Sequence, residues 1–126
     1  MPHEELPKAL VQWYDYTKWV LDRVDGFPKN QRFILGTRLA DATIDVLELL
    51  TQAAYARGGA KSDLLDRANR RIESVRWLVR IVKDRNLISA RQFAFSARGL
   101  EECGRMVGGW LKQSRSRGAS TGNEAP

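Results

Sequence analysis

The chain holds a single cysteine and a single histidine in 126 residues. Cys103 alone cannot close an intramolecular disulfide. His3 alone can neither build a zinc site nor stand beside a nucleophile as a fixed base, and its terminal position predicts a loosely held side chain. No uncharged apolar run reaches the roughly 18 residues a membrane-spanning helix needs, and Glu4 and Glu5 stand where a secretory signal is basic and then apolar. A cytoplasmic location with no membrane contact is expected. No glycine-rich loop joins a strand to a helix. Arg57-Gly58-Gly59-Ala60 lies between two helical patterns and lacks the spacing of a Walker or dinucleotide loop. These absences exclude most enzyme classes, so no catalytic residue, metal or cofactor is expected.

What is present is a globular composition, 43% hydrophobic and 29% charged, at a length that fits one domain. The charge is unevenly placed. Residues 1–60 carry 7 basic and 8 acidic side chains, whereas residues 61–126 carry 14 and 7. A basic second half points to a surface that meets polyanions, because Lys and Arg gain affinity by displacing counterions from phosphates.

No segment alternates with period two long enough to argue a strand, and the apolar pattern predicts four helices, over about 6–25, 30–57, 63–86 and 89–113. In the first, Leu6, Leu10, Trp13, Thr17, Val20 and Val24 share a stripe, and Gly26 and Pro28 end it, the glycine by a left-handed cap. The second carries two stripes, one through Phe33, Thr37, Ala40, Ile44, Leu47, Thr51 and Ala54, the other through Leu35, Leu39, Ala42, Val46, Leu49, Ala53 and Ala56. Apolar on two sides, it is expected to bury a second face, which is a candidate oligomer interface. Gly58 and Gly59 end it, and Ser62 or Asp63 is the expected N-cap of the third helix. That helix has a stripe of Leu65, Ala68, Ile72, Val75, Val79 and Val82, broadened by Trp77, Leu78 and Ile81. Ser89 and Gln92 form a capping box for the fourth, whose stripe is Phe93, Ala97, Leu100, Gly104, Val107 and Leu111. Short connections make this an all-α, antiparallel up-and-down four-helix bundle, with residues 114–126 a disordered polar tail.

Candidate functional residues lie on the last two helices. Arg91, Arg98, Arg105 and Lys112 recur every seven residues, which sets them along one side of the fourth helix as a basic ridge. Arg76, Arg80 and Lys83 share a face of the third, and Arg67, Arg70 and Arg71 crowd its first turns, where cations oppose the helix dipole. Glu73, Asp66, Glu101 and Glu102 are too few to pair them all. Trp77, Phe93, Phe95 and Trp110 fall in or beside apolar stripes, so core packing is expected for each and no base-stacking platform is assigned. Gly99, Gly104, Gly108 and Gly109 each cost about 1 kcal/mol against alanine inside a helix, which argues for close approach of another backbone, above all at Gly104 and Gly108. Asp41, Asp45 and Glu48 share a face but lack the Glu-x-x-His partners of a di-iron bundle. They are expected to meet basic residues, in this chain or across a subunit boundary.

Trp77-Leu78-Val79-Arg80, followed by Glu102-x-Gly104-Arg105-x-x-Gly108-x-Trp110-Leu111, resembles the accessory variability determinant (Avd) proteins of diversity-generating retroelements. The resemblance spans roughly residues 10–113 in length and helical pattern. It implies a protomer that assembles as a ring-like homopentamer with a positively charged surface, binds the element's reverse transcriptase, and associates with RNA or DNA. It also implies no catalysis by the protein itself. The polymerase performs mutagenic, adenine-targeted copying of a template RNA, and the accessory protein supports it. By carry-over Arg76, Arg80 and Arg105 are the candidate contacts, with Lys83, Arg91, Arg98 and Lys112 added by the surface argument, while Gly104, Gly108 and Trp110 are candidate packing or interface residues. The related proteins encoded within 23S ribosomal RNA genes carry an Asn-Ile-Ala-Glu-Gly type segment that this chain lacks. A purely structural protein-interaction bundle is the further alternative.

Overall fold

The computed structural model describes residues 6–124, with side chains as far as Arg117. His3 lies outside the described residues. Four helical rods follow one another: α1, Lys8–Asp25; α2, residues 29–55; α3, Gly58–Asp84; and α4, Ala90–Glu124. No strand occurs among the described residues. Each rod packs on two others, α1 on α2 and α4, and α3 on α2 and α4, so the core lies between all four. The pairing is antiparallel, as Ser62 meets Ser114 and Arg76 meets Leu100 across α3 and α4.

The apolar stripes place the core. In α1 Leu10, Trp13, Thr17, Val20 and Val24 are buried, joined by Ala9 and Tyr16. All six stripe residues of α3 are buried. In α4 Leu100, Val107 and Leu111 are buried, but Ala97 is exposed, and the buried row includes Ser96, Cys103 and Ser114. Those three are small enough for the helix to lie close, and Ser96 and Ser114 each find a hydroxyl partner.

The helix ends obey local chemistry with four departures from expectation. At the start of α4 the Ser89 N–H donates to Gln92 Oε1 at 2.9 Å and the Gln92 N–H donates to Ser89 Oγ at 3.0 Å, the reciprocal capping box. At the end of α3, Asn86 takes φ 61°, its N–H donates to the Lys83 carbonyl, and the Leu87 N–H donates to the Val82 carbonyl. That is a Schellman stop with asparagine in the left-handed position. Gly26, by contrast, is right-handed, and the turn is made by its N–H and that of Phe27 donating back to Arg23 and Val24, with Pro28 heading the next rod. Next, α3 starts at Gly58 rather than near Ser62. Gly58 has φ +58° after the extended pair Ala56 and Arg57, so those three residues reverse the chain and the helix resumes at once. The third departure is inside α2, where Lys29–Gln31 and the α-helix Thr37–Tyr55 are joined by a π-helical stretch, Arg32–Gly36. A Cβ on Gly36 would sit 2.9 Å from Val24 Cγ1, so glycine there admits α1 and the buried Phe27.

The fourth departure is the tail. The helix runs through Glu124, so residues 114–124 are helical rather than disordered, and residues 125–126 lie outside the described residues. Two contacts anchor its start: Ser114 is buried with its hydroxyl 3.0 Å from Ser62 Oγ, and Arg115 reaches Asp66 at 3.9 Å. Nothing between 112 and 125 is a proline to interrupt the rod.

On α2 the stripe containing Leu39, Ala42, Val46 and Ala53 is buried in the core. The other stripe is not covered within the chain. Phe33 is 71% exposed, Thr37 and Thr51 are exposed, and Ala40, Ile44, Leu47 and Ala54 are half-buried.

Candidate nucleic-acid interface

The ridge predicted on the fourth helix is present as a physical surface. Arg91, Arg98, Arg105 and Lys112 are all exposed, spaced about 10.5 Å apart at 1.5 Å per residue. Arg105 is held by Glu102, with Nη2 donating to Oε2 at 2.6 Å. Arg91, Arg98 and Lys112 enter no ion pair among the described residues. Lys112 also joins Arg115 along an open groove with Asn69, Gly108 and Leu111.

The cations of α3 divide differently. Arg76 folds inward: its Nε donates to Glu73 Oε1 at 3.0 Å and its Nη2 to the Leu100 carbonyl at 3.2 Å. Gly104 makes this possible, because a Cβ there would lie 3.1 Å from Arg76 Nη2. What approaches Gly104 is therefore a guanidinium and not the neighbouring backbone. Arg80 bonds Asp84 at 3.3 Å one turn on, and Lys83 is half-buried. The structure thus brings the α4 ridge together and leaves Arg76 as a clamp between α3 and α4.

A Cβ on Gly99 would lie 3.3 Å from the Tyr16 ring, whereas one on Gly108 or Gly109 would meet nothing within 4 Å in the chain. Trp110 is half-buried against the core, with the Lys61 ammonium 5.9 Å from its ring. Of the three α2 acids only Asp45 finds a cation among the described residues; Asp41 and Glu48 enter no ion pair. Arg71 bonds Asp45 at 2.8 Å, Arg70 bonds Asp66 at 2.9 Å, and a groove of about 610 Å3 between the rods is lined by Asp45, Glu48, Arg67, Arg70 and Arg71. No group of three His, Cys, Asp or Glu among the described residues could hold a metal ion.

Two aromatics expected in the core are on the surface. Trp77 is 70% exposed and Phe95 48% exposed. The signal was in the spacing: Trp77 falls outside the row Ile72, Val75, Val79, Val82, and Phe95 stands i+4 from Arg91 and i−3 from Arg98, on the ridge side of α4. Phe93 and Trp110 are half-buried against the core as expected. The interior beneath is tightly organised. Trp13 donates its indole N–H to the Thr43 carbonyl at 2.8 Å, and Tyr16 shares a 2.7 Å hydrogen bond with Ser96. Burial pushes the Tyr16 phenol above its ordinary value, with the Ser96 bond opposing, the Cys103 thiolate reinforcing and the Arg76 charge opposing. Burial, reinforced by the Glu102 carboxylate, pushes the Cys103 thiol up to about 12, so it behaves as a small core side chain.

The fold and the ridge define an all-helical, four-rod protein whose last two helices are both basic. Residues 9–114 match the family model described as bAvd-like, and the chain belongs to that family. No curated protein and no solved structure matches the chain. No helix of the described residues is long and apolar enough to cross a membrane.

Proposed function

We propose that this protein is a non-catalytic accessory subunit of a diversity-generating retroelement. It binds the element's reverse transcriptase and nucleic acid through a basic surface, and so supports mutagenic copying of template RNA in the cytoplasm. The observation that carries the reading is the family membership over residues 9–114, on a chain whose last helix presents three exposed, unpaired cations in a row. Polymerisation chemistry belongs to the partner.

The subunit works as a homopentameric ring on this reading. The uncovered stripe of α2 supports self-association, since Phe33, Ile44 and Leu47 gain by leaving water. Gly108, open within the chain, admits a neighbouring surface at short range.

Co-expression with a reverse transcriptase encoded beside this gene tests the proposal. A complex that survives gel filtration is the expected result, and separate elution of the two at low salt overturns it. Light scattering at high salt, free of bound nucleic acid, is expected to give about five protomers, a closed cyclic assembly. A monomer removes the ring.

A further inference from the structure

The aromatic side chains of α1 and α4 form a line from the core to the surface. Trp13, wholly buried, lies 5.0 Å from Tyr16 between ring centroids; Tyr16 lies 5.9 Å from Trp19 at an interplanar angle of 25°; and Trp19 lies 5.3 Å from Phe95. Each inner member is fixed by a hydrogen bond or by close packing. Trp13 is tied to Thr43, Tyr16 to Ser96, and Gly99 leaves room for the Tyr16 ring. The outermost ring, Phe95, is tilted 40° to Trp19 and closes this aromatic row, while about half its surface meets solvent.

Its surroundings are cationic. Arg91 and Arg98, exposed and unpaired, stand one turn before and one turn after Phe95 on α4. From α1 the Arg23 guanidinium lies 5.8 Å from the Trp19 centroid, and its buried Nε has no hydrogen-bond partner. Of the acids on the same stretches of α1 and α4, Glu102 is held by Arg105 and Asp15 by Lys18, while Asp22 and Glu101 enter no ion pair among the described residues. An exposed phenyl ring among free cations is poorly explained by packing. It has the chemistry that binds an unpaired base: a π-face for stacking and positive charges for the flanking phosphates.

We propose that Phe95, backed by Trp19 and flanked by Arg91, Arg98 and Arg23, is a base-stacking platform for single-stranded nucleic acid. It rests on the nucleic-acid part of the reading above and adds a preference for single strands over duplex, because a paired base cannot leave its stack without cost.

The test compares the full chain with Phe95→Ala, Phe95→Leu and Phe95→Tyr by fluorescence anisotropy. The probes are a labelled single-stranded RNA of about 15 nucleotides, the DNA strand of the same sequence, and the matching duplex. Losing one stacked base is expected to weaken single-strand binding roughly 5- to 150-fold, with the salt slope unchanged because no phosphate contact is removed. Phe95→Tyr keeps the π-face and is expected to bind like the unaltered chain. Phe95→Leu keeps bulk but not the π-face, and it reports stacking even where the alanine variant folds poorly. Duplex binding is expected to be untouched by all three. Single-strand affinity equal in Phe95→Leu and the unaltered chain overturns the platform, as does an equal loss on single strand and duplex. If the unaltered chain binds none of the probes, the nucleic-acid reading itself fails, which is a separate outcome.

Discussion

The ridge on α4 makes a quantitative demand on how nucleic-acid binding varies with salt. Of its four cations, Arg91, Arg98 and Lys112 are unpaired, while Arg105 is tied to Glu102 at 2.6 Å. Each phosphate neutralised on a single strand contributes about 0.7 to the slope of log affinity against log salt, so three free cations give a slope of about 2.1. Raising salt from about 50 to about 200 mM then weakens binding by about 18-fold through these three, and the triple variant with Arg91, Arg98 and Lys112 all changed to glutamine is expected to lose that share and keep only what Arg23 contributes. Glutamine keeps an unbranched stem and helix propensity without the charge, so folding is little disturbed. Arg105→Gln is the internal control. Its charge already faces a carboxylate, and the single change is expected to shift the slope less than Arg98→Gln does. Anisotropy titrations at four or five salt concentrations measure this directly. A triple variant with an undiminished slope removes the ridge as the binding surface. An Arg105→Gln effect equal to that of Arg98→Gln removes the argument from pairing.

Neighbouring glycines on α4 should behave differently. Gly109→Ala, facing open space, is expected to stabilise by about 1 kcal/mol and raise Tm by about 3–4 °C with assembly mass unchanged, whereas Gly108→Ala is expected to lower the mass seen by light scattering; identical behaviour of the two refutes an interface at Gly108. Gly36→Ala places a Cβ 2.9 Å from Val24 Cγ1, and overpacking of about 1–3 kcal/mol outweighs the gain in helix propensity. Urea melts should show the loss, and Val24→Ala should relieve part of it in a double-mutant cycle. Strictly additive effects would show that the two side chains do not meet. Cys103 predicts the alkaline limb of stability. From an ordinary value of 9.0 its thiol is raised to about 12, so between those pH values the folded state keeps a proton that the unfolded state releases, and stability falls as pH rises. Removing that proton difference with Cys103→Ala should flatten the limb, and an unchanged pH profile argues against it.

The fold was legible wherever apolar side chains repeat at helical spacing. Leu65 to Val82 in α3 is the clearest case, because every member of the row is aliphatic and buried. The core row of α4 was harder to see, since Ser96, Cys103 and Ser114 lie in it and polarity hides their positions. Ser114 also decided the tail: a small hydroxyl amid arginines reads as solvent-facing until Ser62 is placed opposite it. The start of α3 and the π-helical stretch of α2 depend on the local backbone at Gly58 and on the fit of Gly36 to Val24, which a one-dimensional pattern does not carry. For the candidate site, the heptad spacing of the ridge was enough to put four cations on one side. Nothing in the spacing said that Arg76 turns inward, because that follows from the notch Gly104 opens on a different helix.

These assignments give α4 three distinct sides, and its composition becomes intelligible from them. One side buries Leu100, Cys103, Val107 and Leu111 and holds the bundle together. A second receives Arg76 at Gly104, fastening α3 to α4 by a side chain that a larger residue would displace. The third carries the free cations, which have no structural duty within the chain, and Phe95, which leans on Trp19. Exposed charges contribute little to stability, about 0–1 kcal/mol even when paired. An unpaired row of like charges contributes repulsion instead, so Arg91, Arg98 and Lys112 are not accounted for by the folding of the chain. The inward-turned Arg76 and the outward row are thus opposite uses of the same residue type. The first is held by a carbonyl and a carboxylate and is unsuited to meeting a phosphate, whereas the second is left without partners and is suited to nothing else so well.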